Sequence, residues 1–146
     1  MMKLSPYLIV TNAAEAIGFY ERAFGAEELF RLNDPRGRIG HAELRFGDTI
    51  VMLADEYPDF GALAPARFGG SPVRLHLGVD DADAVLGKAV EEGATVVRPL
   101  SDEFHGERIG MVVDPFGHSW FVSAKIADVP VDEMQRRFTA LMGGDQ

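Results

Sequence analysis

Pro6-Tyr7-Leu8-Ile9-Val10, running into Asn12-Ala13-Ala14-Glu15, and Leu75-His76-Leu77-Gly78-Val79, running into Asp80-Asp81-Ala82-Asp83, are the stretches that decide the fold. Each is a short β-rich run that leads to a polar N-cap with an acidic residue close behind. Apolar residues at helical spacing follow, Ile17, Tyr20 and Phe24 in the first copy and Val85, Leu86, Ala89 and Val90 in the second. Gly25 and Gly93 then stop the two helices. A constant offset of 69 pairs Tyr7 with His76, Val10 with Val79, Ala13 with Ala82 and Ile17 with Leu86, while the stop glycines slip by one place. The chain therefore contains an internal repeat.

Three strand-like runs follow each helix. In the first half they are Glu28–Asn33, Ile39–Phe46 and Thr49–Ala54, and in the second Thr95–Leu100, Arg108–Val113 and His118–Ala124. Asp34-Pro35-Arg36-Gly37, Gly47-Asp48, a loop holding Gly106, and Asp114-Pro115-Phe116-Gly117 supply the turns. Each half reads as βαβββ, which makes the chain an α+β protein with two tandem modules, about 4–54 and about 73–125, in one domain spanning 1–146. The connecting stretch 55–72 is rich in Gly, Pro and Ala yet carries Tyr57, Phe60, Leu63 and Phe68, as a lid or binding loop would. Val131, Met134, Phe138 and Leu141 form the stripe of a short C-terminal helix, about 131–142, expected to pack on a neighbouring surface.

Composition narrows the possible partners. A net charge of −9 disfavours nucleic acid, which basic patches normally meet. With no cysteine there is no disulfide framework, thiolate metal site or cysteine nucleophile. No apolar run reaches the length needed to span a bilayer, so no membrane partner and a cytoplasmic location are expected.

The separated motifs Pro6-Tyr7-Leu8-Ile9-Val10, Ala16-Ile17-Gly18-Phe19-Tyr20-Glu21-Arg22-Ala23-Phe24-Gly25-Ala26, His41-Ala42-Glu43-Leu44, Met52-Leu53-Ala54-Asp55-Glu56 and Asp114-Pro115-Phe116-Gly117-His118-Ser119-Trp120 together resemble the vicinal oxygen chelate superfamily. This is the group of glyoxalase I, extradiol dioxygenases and bleomycin-binding proteins, and the likeness is strongest to its PhnB-like branch. The resemblance implies a U-shaped mixed sheet around a cavity, a homodimer, and a metal held by side chains on the first and last strands of each module. Those positions are Tyr7, Met52, His76 and Phe121. Only His76 is an ordinary metal ligand, so no cofactor is expected; a divalent metal with His76 as its weak candidate ligand is the alternative.

Strand alternation puts His41, Glu43 and Arg45 on one face, either lining the cavity or forming a mutually paired polar row. The offset carries Arg108 to the same side, where it would clamp an anion unless a local carboxylate holds it. Trp120 is read as core beneath the second helix. The function expected is metal-free binding or sequestration of an aromatic or cationic small molecule, such as an antibiotic. Tyr7, His41, Glu43, Met52, His76, Arg108 and Phe121 would form the walls, with Tyr57, Phe60 and Phe68 as lid residues. The alternative is a lyase, isomerase or dioxygenase that uses a metal with unconventional ligands, or His76, His41 and Glu43 as acid–base groups.

Overall fold

A computed structural model describes residues 1–143. The first half contains β1 (Tyr7–Val10), α1 (Ala13–Phe24), β2 (Glu27–Asn33), β3 (Ile39–Phe46) and β4 (Thr49–Asp55). Two short 3₁₀ turns, Pro58–Phe60 and Pro65–Phe68, follow. The second half repeats the order with β5 (Arg74–Gly78), α2 (Ala82–Glu91), β6 (Thr95–Asp102), β7 (Glu107–Val113) and β8 (Ser119–Lys125), and α3 (Val131–Gly143) closes the described chain. The strands form two four-stranded mixed sheets, ordered β1-β4-β3-β2 and β5-β8-β7-β6. In each, the first strand runs parallel to the last and the other pairs are antiparallel.

Local chemistry explains the elements. The Asn12 side chain accepts the Glu15 N–H at 3.2 Å to start α1, and Gly25, at φ 74°, ends it. Asp55, at the end of β4, accepts Ala13 N–H at 2.7 Å and Ile39 N–H at 2.8 Å, tying the helix start to the head of β3. Leu8, Val10, Ala42, Leu44, Val51 and Leu53 alternate onto the face under α1 and are buried.

The two modules dock through their helical sides, α1 against α2, rather than through their sheets. Trp120 is core, as the sequence suggested, but its neighbours belong to the other module. Its ring centroid lies 5.5 Å from Tyr20, 4.9 Å from Phe24 and 5.5 Å from Phe46. Asp114 anchors this seam, being buried and accepting Tyr20 Oη–H at 2.5 Å, Trp120 Nε1–H at 2.9 Å, and the N–H groups of Phe116 and His118 at 2.9 and 3.0 Å. His118 Nε2 donates to the Ile9 carbonyl at 2.9 Å. With both helices packed inward, each sheet turns its other face away from the core. The C-terminal helix buries none of its residues and touches the body through Phe138 against Phe104, 5.7 Å apart, and through Arg137 on the Phe104 carbonyl.

Candidate functional site

On the face of the first sheet away from α1, neighbouring strands align Tyr7, Met52, Glu43 and Phe30 in one row. Leu32 stands opposite His41 in the next. Tyr7 Oη lies 2.8 Å from His41 Nδ1, and His41 Nε2 lies 3.0 Å from Glu43 Oε2. The phenol, imidazole and carboxylate thus make a continuous hydrogen-bonded line across β1 and β3. Partial burial, and after it the Glu43 carboxylate, push the Tyr7 hydroxyl above its ordinary pKa. Phe30, 43% exposed, lies tilted beside His41, ring centroids 5.8 Å apart, and gives the polar line an apolar rim. Arg45, on the same face, is engaged by Glu27 at 2.7 Å.

The second sheet differs. His76 sits beside Phe121, ring centroids 6.1 Å apart, with Nε2 at 3.3 Å from Ser123 Oγ and 3.5 Å from Glu107 Oε1. The guanidinium carbons of Arg74 and Arg98 approach the Phe121 ring centre at 5.6 and 5.9 Å, a cation–π flank on both neighbouring sides. Neither arginine, nor Phe30 or Leu32, was singled out from the sequence. The edge-strand runs that carry Phe30, Leu32 and Arg98 lack a clean apolar alternation, so their faces could only be assigned once the strands were paired.

Tyr7 and Met52 are direct neighbours, as are His76 and Phe121. The resemblance implies one centre for these four positions; within the chain they stand as two pairs on two separate sheets. Among the described residues no hydrogen bond or ring contact joins one pair to the other.

Arg108 departs from the expected side. Its guanidinium binds Asp83 of α2 at 2.8 and 3.0 Å and Asp102 at 3.1 Å, on the helix side of the second sheet. These two carboxylates, Asp83 first, hold it far above the usual arginine range. The cause is a one-residue slip of register. Glu43 pairs with Met52 and Met111 with Phe121, so the offset is 69 at the last strands (121 − 52) but 68 at the third (111 − 43). A slip of one turns every side chain of a strand to the other face. Ile109 and Met111 therefore occupy the places of His41 and Glu43 in the second module.

The loop aromatics also separate. Phe68 borders a shallow pocket with Tyr7, Ile9 and His118. Tyr57 stacks on Phe60 at 4.9 Å beneath the Arg38 guanidinium, beside the β2–β3 turn, in an open pocket of about 390 Å³ with Asp34 and Arg36. Only Phe68 is near the Tyr7 line.

The profile of the Glyoxalase/Bleomycin resistance protein/Dioxygenase superfamily matches residues 4–122. The chain belongs to that superfamily. A protein of Mycobacterium tuberculosis strain H37Rv, Rv0887c, is 45% identical over 135 residues, covering 90% of this chain and 79% of its own. The lactoylglutathione lyase of Neisseria meningitidis serogroup A is 28% identical, over 88% of this chain and 94% of the lyase. Among solved structures, TioX from Micromonospora sp. ML1 is 28% identical with a TM-score of 0.66, covering 86% of this chain and 100% of TioX. A PhnB protein from Bacillus cereus, 20% identical, shares the fold with a TM-score of 0.67, over 84% of this chain and 99% of that one.

The superfamily often holds a divalent metal at the first- and last-strand positions, and the side chains found there do not fit one. Tyr7 is hydrogen-bonded to His41, Met52 and Phe121 are poor ligands for a hard or borderline cation, and His76 stands alone in its pair. Among the described residues, no three His, Asp or Glu side chains converge on one point.

Proposed function

We propose that this superfamily member binds a small aromatic or cationic molecule, such as an antibiotic, without a metal, on the open face of its first sheet. The observation that carries the reading is the Tyr7–His41–Glu43 line framed by Met52, Phe30 and Leu32, a few convergent polar groups set in an apolar surround. That face is only half a cavity in one chain, and Tyr7 is 47% exposed on it. We assign the missing wall to a second copy of the chain, whose second-sheet face supplies His76, Phe121, Arg74 and Arg98. The ligand would then lie between a Tyr/His/Glu wall and an Arg/Phe wall, with Phe68 at its edge.

Two measurements test this. Dialysed protein is analysed for Ni, Zn, Fe and Mn, and its melting temperature is followed while aromatic and cationic natural products are added. Metal well below one equivalent, with a saturable rise in melting temperature that Tyr7→Phe and Glu43→Ala diminish, is the expected result. A stoichiometric metal whose removal abolishes turnover of a substrate would replace the binding reading with a metal-dependent lyase, isomerase or dioxygenase.

A further inference from the structure

The hydrogen-bonded line on the first sheet has a direction. A carboxylate oxygen has no proton to give, so Glu43 Oε2 accepts from His41 Nε2, 3.0 Å away. In the neutral imidazole, the proton on Nε2 leaves Nδ1 as an acceptor, and the partner 2.8 Å from Nδ1, Tyr7 Oη, must donate. Tyr7 therefore spends its single proton on His41 and offers only lone pairs to whatever occupies the open face.

We propose that Tyr7, His41 and Glu43 form a proton relay, with the Tyr7 oxygen as proton acceptor for an acidic O–H of an aromatic ligand. The inference rests on the ligand-binding reading of this face and names the ligand chemistry, a planar phenol or enol. The step balances without a co-reactant. The ligand O–H bond breaks and its proton joins Tyr7 Oη, the Tyr7 proton moves to His41 Nδ1, and the ligand is left as its anion. The charge gained by the imidazole is met by Glu43 on its far side, and the proton returns by the same route on release.

Three observations favour a functional over a structural role. The second module builds the same strand order with Ile109 and Met111 at the equivalent places, so the fold does not require the polar line. The line lies on the face away from α1, where Tyr7 is 47% exposed. Burial and the neighbouring Glu43 raise the Tyr7 pKa, in keeping with a phenol that rests protonated and donates to His41.

The decisive experiment uses the full chain with ¹⁵N-labelled histidine, its four histidines assigned with the help of His41→Gln. Imidazole ¹⁵N shifts near neutral pH should show His41 as the Nε2–H tautomer. In the same protein 4-nitrophenol, read by the absorbance of its phenolate, should bind ionised, at least about tenfold more tightly than 4-nitroanisole, which has no proton to give; that ratio corresponds to about 1.4 kcal/mol. Tyr7→Phe should erase the preference while the seam between modules, and with it the fold, stays intact. An Nδ1–H tautomer at His41, or equal binding of the two aromatics, overturns the relay. If neither aromatic binds, the ligand-binding reading fails and the Tyr7 acceptor role falls with it, whereas equal binding of the two overturns the relay alone.

Discussion

Asp114 shows how much a single residue contributes to this protein. In the sequence it belongs to a turn, Asp114-Pro115-Phe116-Gly117, and the turn bonds to Phe116 and His118 are what such a motif predicts. Its bond to Tyr20 is not local: it joins residues 94 apart and, beside the Trp120 indole that Asp114 also holds, locks one module to the other. Tyr20 is fully buried there, and burial first, then Asp114, hold its hydroxyl well above the normal tyrosine pKa. In the unfolded chain Tyr20 ionises near its ordinary value of about 10, whereas in the folded protein it stays protonated to higher pH. The unfolded state thus binds fewer protons above that value, and stability falls as pH rises. Urea unfolding between pH 9 and 11 should show a loss of up to about 1.4 kcal/mol per pH unit from this group. Tyr20→Phe should lack that component of the slope, and an unchanged slope would mean that the hydroxyl is not held in its buried bond.

At the scale of elements, two glycines separate propensity from tertiary constraint. Gly87 lies on the exposed side of α2, with nothing within 4 Å of where a Cβ would stand. Gly87→Ala should therefore raise stability by roughly 0.5–1 kcal/mol through lower backbone entropy in the unfolded chain. Gly106 has φ 94°, and a Cβ there would run into the Ala127 carbonyl and reach Val129 at 3.0 Å. Its own carbonyl accepts from Ile126 and Ala127, pinning the chain after β8. Gly106→Ala should cost about 1–3 kcal/mol, from the left-handed backbone and the clash together. Thermal melts of the two variants should shift in opposite directions; a stabilised Gly106→Ala would contradict the close approach. The register slip belongs to this scale too. A constant offset predicts Arg108 on the cavity side, and the sequence carried one sign of the slip, the stop glycines Gly25 and Gly93 standing 68 apart (93 − 25).

For the whole molecule, accessible surface is the telling quantity. The chain exposes 8967 Å², while a compact monomer of its 16.0 kDa exposes about 7,400 Å². The excess, about 1,600 Å² on one chain, is roughly twice the ~800 Å² that each partner of a standard protein interface buries. Leu29, Phe30 and Leu32 on β2, Val96 and Val97 on β6, and Val131, Leu141 and Met142 on α3 are all substantially exposed. The proposed second copy would cover the sheet faces. Light scattering should return twice the chain mass, and the melting temperature should rise with protein concentration. Leu32→Asp should shift the protein to monomer and weaken ligand binding with it. A wild-type monomer at tens of micromolar would remove the second wall from the proposed site.

Sequence alone determined the tandem βαβββ modules, because alternation, helical spacing, caps and turn glycines are local signals that each half repeats. Through the resemblance it carries, it also named Tyr7, Met52, His76 and Phe121 as the first- and last-strand positions, while their pairing came from the structure. Only the tertiary structure decided which polar groups touch: that Tyr7 reaches His41, that Arg108 turns to Asp83, and that Trp120 completes the other module's core. Those outcomes depend on strand register and module docking, which are set by packing between residues far apart in the chain. A shift of one residue there reverses a face while leaving every local propensity unchanged.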